Sequence, residues 1–174
     1  MKPALVVVDV QNGWLELSEG LKKSVGEHLG HMQGFVSVFR KAQAPIIFTC
    51  HSFPEKGISQ GSKEFDFFPN LTPESGDGKV VKTRQNAFNN TDLERLVREK
   101  GCDTVIIIGL SALHCVLSTY YGAYDKDLQP YLGRSAVAGP DDESVQAAEK
   151  ICDTLSLRAV SQILNQDPKI VSMG

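Results

Sequence analysis

The chain has 174 residues, 41% of them hydrophobic and 22% charged, with a formal net charge of −3. That length suits a single domain, residues 1–174, of a size that buries roughly 70% of the surface its unfolded chain exposes. The mild acidity and the lack of a basic run exclude the electrostatic footprint of a nucleic-acid binder, and no apolar run approaches the ~18 residues a membrane span needs.

The chain enters a buried-strand pattern at Pro3 without a charged leader or a small-residue cleavage site, so no export signal is expected. Cys50, Cys102, Cys115 and Cys152 are widely spaced and form no C-x-x-C pair. They read as reduced thiols, which makes the expected compartment the cytoplasm.

Ala4 to Asp9 is an apolar run ending in an acid, the pattern of a strand buried on both faces of a parallel sheet. Asp9 then falls at the carboxyl end of the strand, where ligands bind in open α/β sheets. Gln11-Asn12-Gly13 is turn chemistry. From Ser24 to about Gln43, Val25, Leu29, Met32, Phe35, Val36 and Phe39 recur at three- and four-residue spacing and predict an amphipathic helix. Pro45 to His51 reads as the second strand, with His51 at its end. Ser52 to Gly78 has no steady periodicity and carries Phe65, Phe67 and Phe68, so it is expected either to cover a pocket or to pack on its own aromatics.

Lys79 to Lys82 is a short third strand. Thr91-Asp92-Leu93-Glu94 has the form of a capping box, opening a helix with Leu93, Leu96 and Val97 on its buried side and Gly101 at its end. Asp103 to Ile108 is a fourth strand, Leu113 to about Tyr124 a helix, and Leu128 to Leu132 a weak fifth strand. Pro140 to Glu143 starts another helix with Val145, Ala148 and Ile151 on its inner face. Leu157 to Val160 is expected to be the last strand, followed by a terminal arm to Gly174. Alternation of this kind predicts an α/β fold: a three-layer α-β-α, doubly wound, mostly parallel sheet of about six strands.

Three strand ends carry Asp9, Lys82 and, just past Gly109, Cys115. If those strands lie near the centre of the sheet, an acid, an ammonium and a thiol converge in one crevice. Cys115 sits in the first turn of a helix, where free N–H groups and the macrodipole favour a thiolate, and the lysine favours it further. The carboxylate can take the thiol proton and return it to a leaving amine. Such a site is expected to lower the thiol pKa from its ordinary ~8.5. His114 is not expected to form a dyad with Cys115, because neighbours on a helix do not face each other. Trp14, His51 and Phe53 are candidates for the pocket wall.

These residues resemble the isochorismatase-like cysteine hydrolases, a family that includes nicotinamidases and N-carbamoylsarcosine amidase. Ala4 to Asn12 is similar to the family's first-strand acid motif, and Val80 to Phe88 with Thr91 and Leu93 to its lysine motif. Gly109 to Val116 with Thr119 and Ala123 is similar to its nucleophile motif. The resemblance implies Cys115 as nucleophile, Asp9 as general base and acid, and Lys82 as the residue that holds the pair. It implies a non-proline cis bond at Leu110-Ser111, with the N–H groups of Ser111 and Cys115 aimed at an oxyanion. Nicotinamidases bind a metal through an Asp-x-His motif; here Thr49-Cys50-His51 stands in that place and no histidine follows in the long loop, so neither metal nor other cofactor is expected. Asn86 stands where many members have serine. The implied function is hydrolysis of a C–N bond in a small amide or carbamoyl substrate through a thioester, by a homo-oligomer, dimer or larger. The alternative is a non-catalytic subunit or binding module of the same fold, its crevice sealed by Phe65, Phe67 or Phe68 or by a partner.

Overall fold

The computed structural model describes residues 1–165. Its strands are β1 (Pro3–Val8), β2 (Ile46–His51), β3 (Gly78–Lys82), β4 (Thr104–Leu110), β5 (Gln129–Ala138) and β6 (Thr154–Leu155). They pair in parallel in the order β3-β2-β1-β4-β5-β6. The helices are α1 (Asn12–Leu17), α2 (Glu19–Lys41), α3 (Leu93–Glu99), α4 (Leu117–Tyr124), α5 (Asp142–Ile151) and α6 (Leu157–Asn165). The sheet separates two cores. Leu5, Val7, Phe48, Ile106 and Ile108 pack with Met32, Phe35 and Phe39 of α2 and with Val160 of α6. Ala4, Val6, Val8, Ile47, Val105 and Ile107 pack with Leu93, Val97, Val116, Tyr120 and Ala148 on the other side. This is why the β1 and β4 sequences read as unbroken apolar runs: successive residues alternate between two dry faces.

Several expectations change. A short helix, α1, occupies the predicted turn at Gln11 to Gly13; six residues are too few to show a helical period. The long helix begins earlier than Ser24, at Glu19, because Ser18 caps it by accepting the Leu21 N–H at 3.1 Å. The capping box does not form: Asp92 is the N-cap residue of α3 and supplies no side-chain cap, Thr91 accepts the Leu93 N–H at 3.3 Å, and Glu94 pairs with Arg98 and Lys126. On α5, Val145 and Ala148 are buried whereas Ile151 is exposed. The weak fifth strand runs on to Ala138 through an irregular register beside Ile107 and Gly109. The predicted last strand at Leu157 to Val160 is instead the start of α6, and the edge strand is Thr154–Leu155. Leu157, Val160 and Leu164 lie at spacings of three and four, and Val160 and Leu164 are buried, so tertiary packing selects the helix. The terminal arm beyond Asn165 lies outside the described residues.

Two close approaches position the site. Gly109 has φ +114°, and a Cβ there would stand 2.2 Å from the Val8 carbonyl oxygen, so only glycine lets β4 turn beside β1. A Cβ on Gly34 of α2 would meet Leu157 at 2.9 Å, which explains one of the three helical glycines as the seat of α6.

Candidate active site

Asp9 and Cys115 come from the ends of the central strands β1 and β4, but Lys82 does not: β3 is the sheet edge, two places from β1. The lysine still reaches the centre because register and length combine. Lys82 pairs with His51, and Val8 pairs with Thr49, so Thr49, His51 and Lys82 share the face that holds the Val80 and Cys115 core. From there the side chain extends under β2, and its Nζ lies 2.7 Å from Asp9 Oδ2 while donating to the Arg84 carbonyl at 3.0 Å. The segment after Lys82 is fastened to α4. Thr119 Oγ1 accepts the Ala87 N–H at 3.1 Å, and Gly122 leaves the room that the Asn86 side chain fills.

The carboxylate of Asp9 is 1% exposed and is held from two sides. Thr49 Oγ1 donates to Oδ1 at 2.6 Å and the ammonium of Lys82 neutralises Oδ2. Besides that ion-pair contact, Oδ2 receives no hydrogen bond from the described residues. Asp9 has φ +52°, which turns its side chain at the point where the strand ends. His51 Nδ1 lies 3.6 Å from Cys115 Sγ and 3.8 Å from Asp9 Oδ2. Gln11, fully buried, fixes that ring's backbone: its Oε1 accepts the His51 N–H at 2.8 Å, and its amide donates to the carbonyls of His51 and Phe65. Trp14 Nε1 donates to the same Oε1 at 3.4 Å.

Cys115 sits in a π-helical turn, Ala112–Val116, that leads into α4, and the peptide bond Leu110-Ser111 before it is cis. The thiol is not activated in the manner expected. Burial, and after it the negative charge of Asp9, outweigh the opposing charge of Lys82 and push the Cys115 thiol up to about 12. Helix-terminus reasoning therefore misses the dominant effect, which is desolvation. Burial also lowers the His51 pKa, with help from the Lys82 charge, so the imidazole is neutral at pH 7. Cys50, Cys102 and Cys152 are buried thiols raised to about 12, 11 and 11, chiefly by desolvation.

Above these groups opens a cleft of about 280 Å³. Asp9, His51 and Cys115 lie on it together with Trp14, Phe53, Leu110 and Ser111, so all the wall and turn candidates meet in one place, with Lys82 buried behind Asp9. Leu17, Leu21, Gln85, His114 and Pro140 also line it. His114 is an exposed wall residue; the histidine beside the sulfur is His51. Sequence reasoning did not place Thr49 and Gln11 in the site, although Gln11, two residues past Asp9 at the end of the strand, was a visible polar signal.

The oxygen, nitrogen and sulfur of Asp9, His51 and Cys115 lie within 4.8 Å of one another, a spacing short enough for a metal ion. The set does not suit one, because the Lys82 ammonium already stands 2.7 Å from the same carboxylate oxygen and repels a second cation. Of the long loop, Phe53 lines the cleft, whereas Phe65, Phe67 and Phe68 do not. Phe65 packs with Cys50 and Ile58, Phe68 with the α2 core, and Phe67 edge-on against Phe48. No helix among the described residues is long and apolar enough to cross a membrane.

The chain is similar to known proteins over nearly its whole length. The secreted isochorismatase effector Isc1 of Verticillium dahliae is 26% identical over 151 residues, 84% of this chain and 78% of that one. The N-carbamoylsarcosine amidase structure from Thermoplasma acidophilum superposes with a TM-score of 0.77 at 25% identity, covering 90% of this chain and 95% of the other. A cysteine hydrolase from Pseudomonas syringae pv. phaseolicola gives 0.84 at 19% identity, covering 94% and 92%. The isochorismatase domain model matches residues 3–155, far more than half of the chain, and this protein therefore belongs to the isochorismatase-like hydrolase family.

Proposed function

We propose that the protein is a cysteine hydrolase that cleaves a C–N bond of a small amide or carbamoyl compound through a thioester on Cys115. The observation that carries this reading is a thiol on the floor of a cleft, within 4.8 Å of an oxygen of the buried Asp9 carboxylate. As Sγ attacks the substrate carbonyl, its proton passes to the Asp9 carboxylate, and the new S–C bond leaves a tetrahedral oxyanion. The N–H groups of Ser111 and Cys115 are the proposed donors to that oxyanion. The C–N bond then breaks, and Asp9 returns the proton to the departing nitrogen. Water attacks the thioester with Asp9 as base, releasing the acid and restoring the thiol. Lys82 and Thr49 hold the two oxygens of Asp9 in place through these transfers.

The raised thiol pKa shapes the first step. A thiol at about 12 holds its proton in the resting protein, so proton transfer to Asp9 accompanies attack instead of preceding it. The alternative is a non-catalytic module whose crevice is sealed by the loop or by a partner. Phe65, Phe67 and Phe68 do not line the cleft, which speaks against sealing by the loop, and a partner chain filling the cleft is the form of that alternative still open to test. Assembly as a homo-oligomer belongs to the same proposal and is read by light scattering.

The test is a panel of small amides and carbamoyl compounds, scored for release of ammonia or amine, with intact-mass detection of an acyl adduct. The expected result is turnover that Cys115→Ala abolishes and an adduct mapping to Cys115. Turnover that survives Cys115→Ala overturns the mechanism.

A further inference from the structure

The walls of the cleft restrict what the proposed hydrolase accepts. Trp14 and Phe53 contribute indole and phenyl surface, and Leu17, Leu21, Leu110 and Pro140 contribute aliphatic surface. The His51 ring lies parallel to Phe53, 9° between planes and 5.6 Å between centroids, with Trp14 tilted 5.6 Å from His51, so one side of the cleft is aromatic. Among the described residues, no lysine or arginine lines it. The nearby Lys82 is committed to Asp9 and to the Arg84 carbonyl, and Arg84 itself is exposed and not a wall residue. The neutral His51 offers no positive charge. At the floor, the Asp9 carboxylate and the Lys82 ammonium are paired with each other.

We propose that the cleft takes an uncharged carboxamide with a compact hydrocarbon acyl group and turns away amides and carbamoyl compounds that carry a carboxylate. This rests on the hydrolase reading and sharpens it. A substrate carboxylate would be drawn out of water beside the Asp9 carboxylate, between walls where the described residues place no lysine or arginine and where His114 lies at the exposed rim, a cost that an unpaired buried charge does not recover. The hydrocarbon acyl group gains instead by covering aromatic and leucine surface. At about 280 Å³ the cleft falls just under the ~300 Å³ at which pockets for drug-sized ligands begin, so the acyl group is small.

The experiment compares phenylacetamide with its para-carboxy derivative, which shares the reacting amide and ring. The neutral amide is expected to have a kcat/KM at least about 100-fold higher. Leu17 is 50% exposed at the cleft wall, so Leu17→Arg adds a guanidinium without opening the core. This variant is expected to narrow the ratio at least tenfold, roughly, by raising turnover of the charged amide. Equal or better turnover of the charged amide by the unaltered protein overturns the inference. If neither amide is hydrolysed, the hydrolase reading fails by itself, and calorimetric binding of the two amides to the same protein still decides the specificity. Tighter binding of the neutral amide supports it; equal or tighter binding of the charged one, or no binding of either, overturns it.

Discussion

The proposed roles of Asp9 and Lys82 separate in one pair of substitutions, because the two residues move the Cys115 thiol in opposite directions. The Asp9 oxygen and the Cys115 sulfur lie within 4.8 Å, both in buried residues. At an effective dielectric constant of about 20, two negative charges at that distance repel by about 3 kcal/mol, or about two pKa units. Asp9→Asn removes that repulsion and leaves the Lys82 ammonium to pair with a thiolate. The thiol pKa should fall from its value near 12 and the thiolate fraction at pH 7 should rise about 100-fold. The variant should therefore alkylate faster with iodoacetamide while losing hydrolysis, since the proton acceptor is gone. Lys82→Ala should slow both. The assay is the pseudo-first-order rate of Cys115 modification by peptide mass spectrometry at pH 7, beside turnover of a neutral amide. Slower alkylation of Asp9→Asn than of the unaltered protein would mean that Asp9 holds the resting sulfur ionised, and the concerted transfer argued above would be wrong.

Thr49→Val keeps the shape of the side chain but removes the hydroxyl that donates to Asp9 Oδ1 at 2.6 Å. A loss of about 1–3 kcal/mol in urea unfolding is expected, with a drop in kcat of roughly tenfold. Cys50, Cys102, Cys115 and Cys152 are all raised to about 11 or 12, so above pH 9 the unfolded chain loses thiol protons that the folded chain keeps. Stability must then fall as pH rises through that window, by up to about 1.4 kcal/mol per pH unit for each thiol, and Cys50→Ala should reduce the slope by one such share in denaturant titrations from pH 9 to pH 11. An unchanged slope would show that Cys50 titrates normally. Gly109→Ala forces a Cβ to 2.2 Å from the Val8 carbonyl oxygen at φ +114°. It should cost several kcal/mol or prevent folding, which thermal unfolding of the purified variant would reveal.

The layered sheet was legible because two-sided burial leaves a direct trace. Ala4 to Val8 and Val105 to Ile108 are 0% exposed, and only strands covered on both faces tolerate such unbroken runs. The last third was harder to read. Leu157 to Val160 offers four residues that suit either a strand or the first turn of a helix, and the choice is made by Leu157 seating on Gly34 and by Val160 joining the α2 core. Neither contact has a local signature. The six residues of α1 were hidden for a different reason: that helix has no side-chain cap at Gln11, and its position depends on backbone bonds from Asn12 and Gly13 to the distant loop at Asp66 and Glu64.

The site shows the same division between what a residue is and what surrounds it. Asp9, Lys82 and Cys115 stood out because each interrupts or follows an apolar strand, and polar groups in that position have a cost that needs a reason. Their convergence required the pairing of Lys82 with His51 and of Val8 with Thr49, which chain order alone does not contain. Thr49 stayed hidden because threonine is an ordinary strand residue until its hydroxyl is found against a buried carboxylate. The direction of the thiol shift was missed for the deepest reason. A helix start and a neighbouring lysine are local features that favour a thiolate, whereas desolvation is a property of the whole enclosure at the sheet centre. Burial enters first and the Asp9 charge second, so a site with every local mark of an activated cysteine holds a protonated one. Its reactivity then resides in the distance from sulfur to carboxylate. Moving that oxygen without removing it, as Asp9→Glu would, should therefore impair turnover more than any loss of resting thiolate explains.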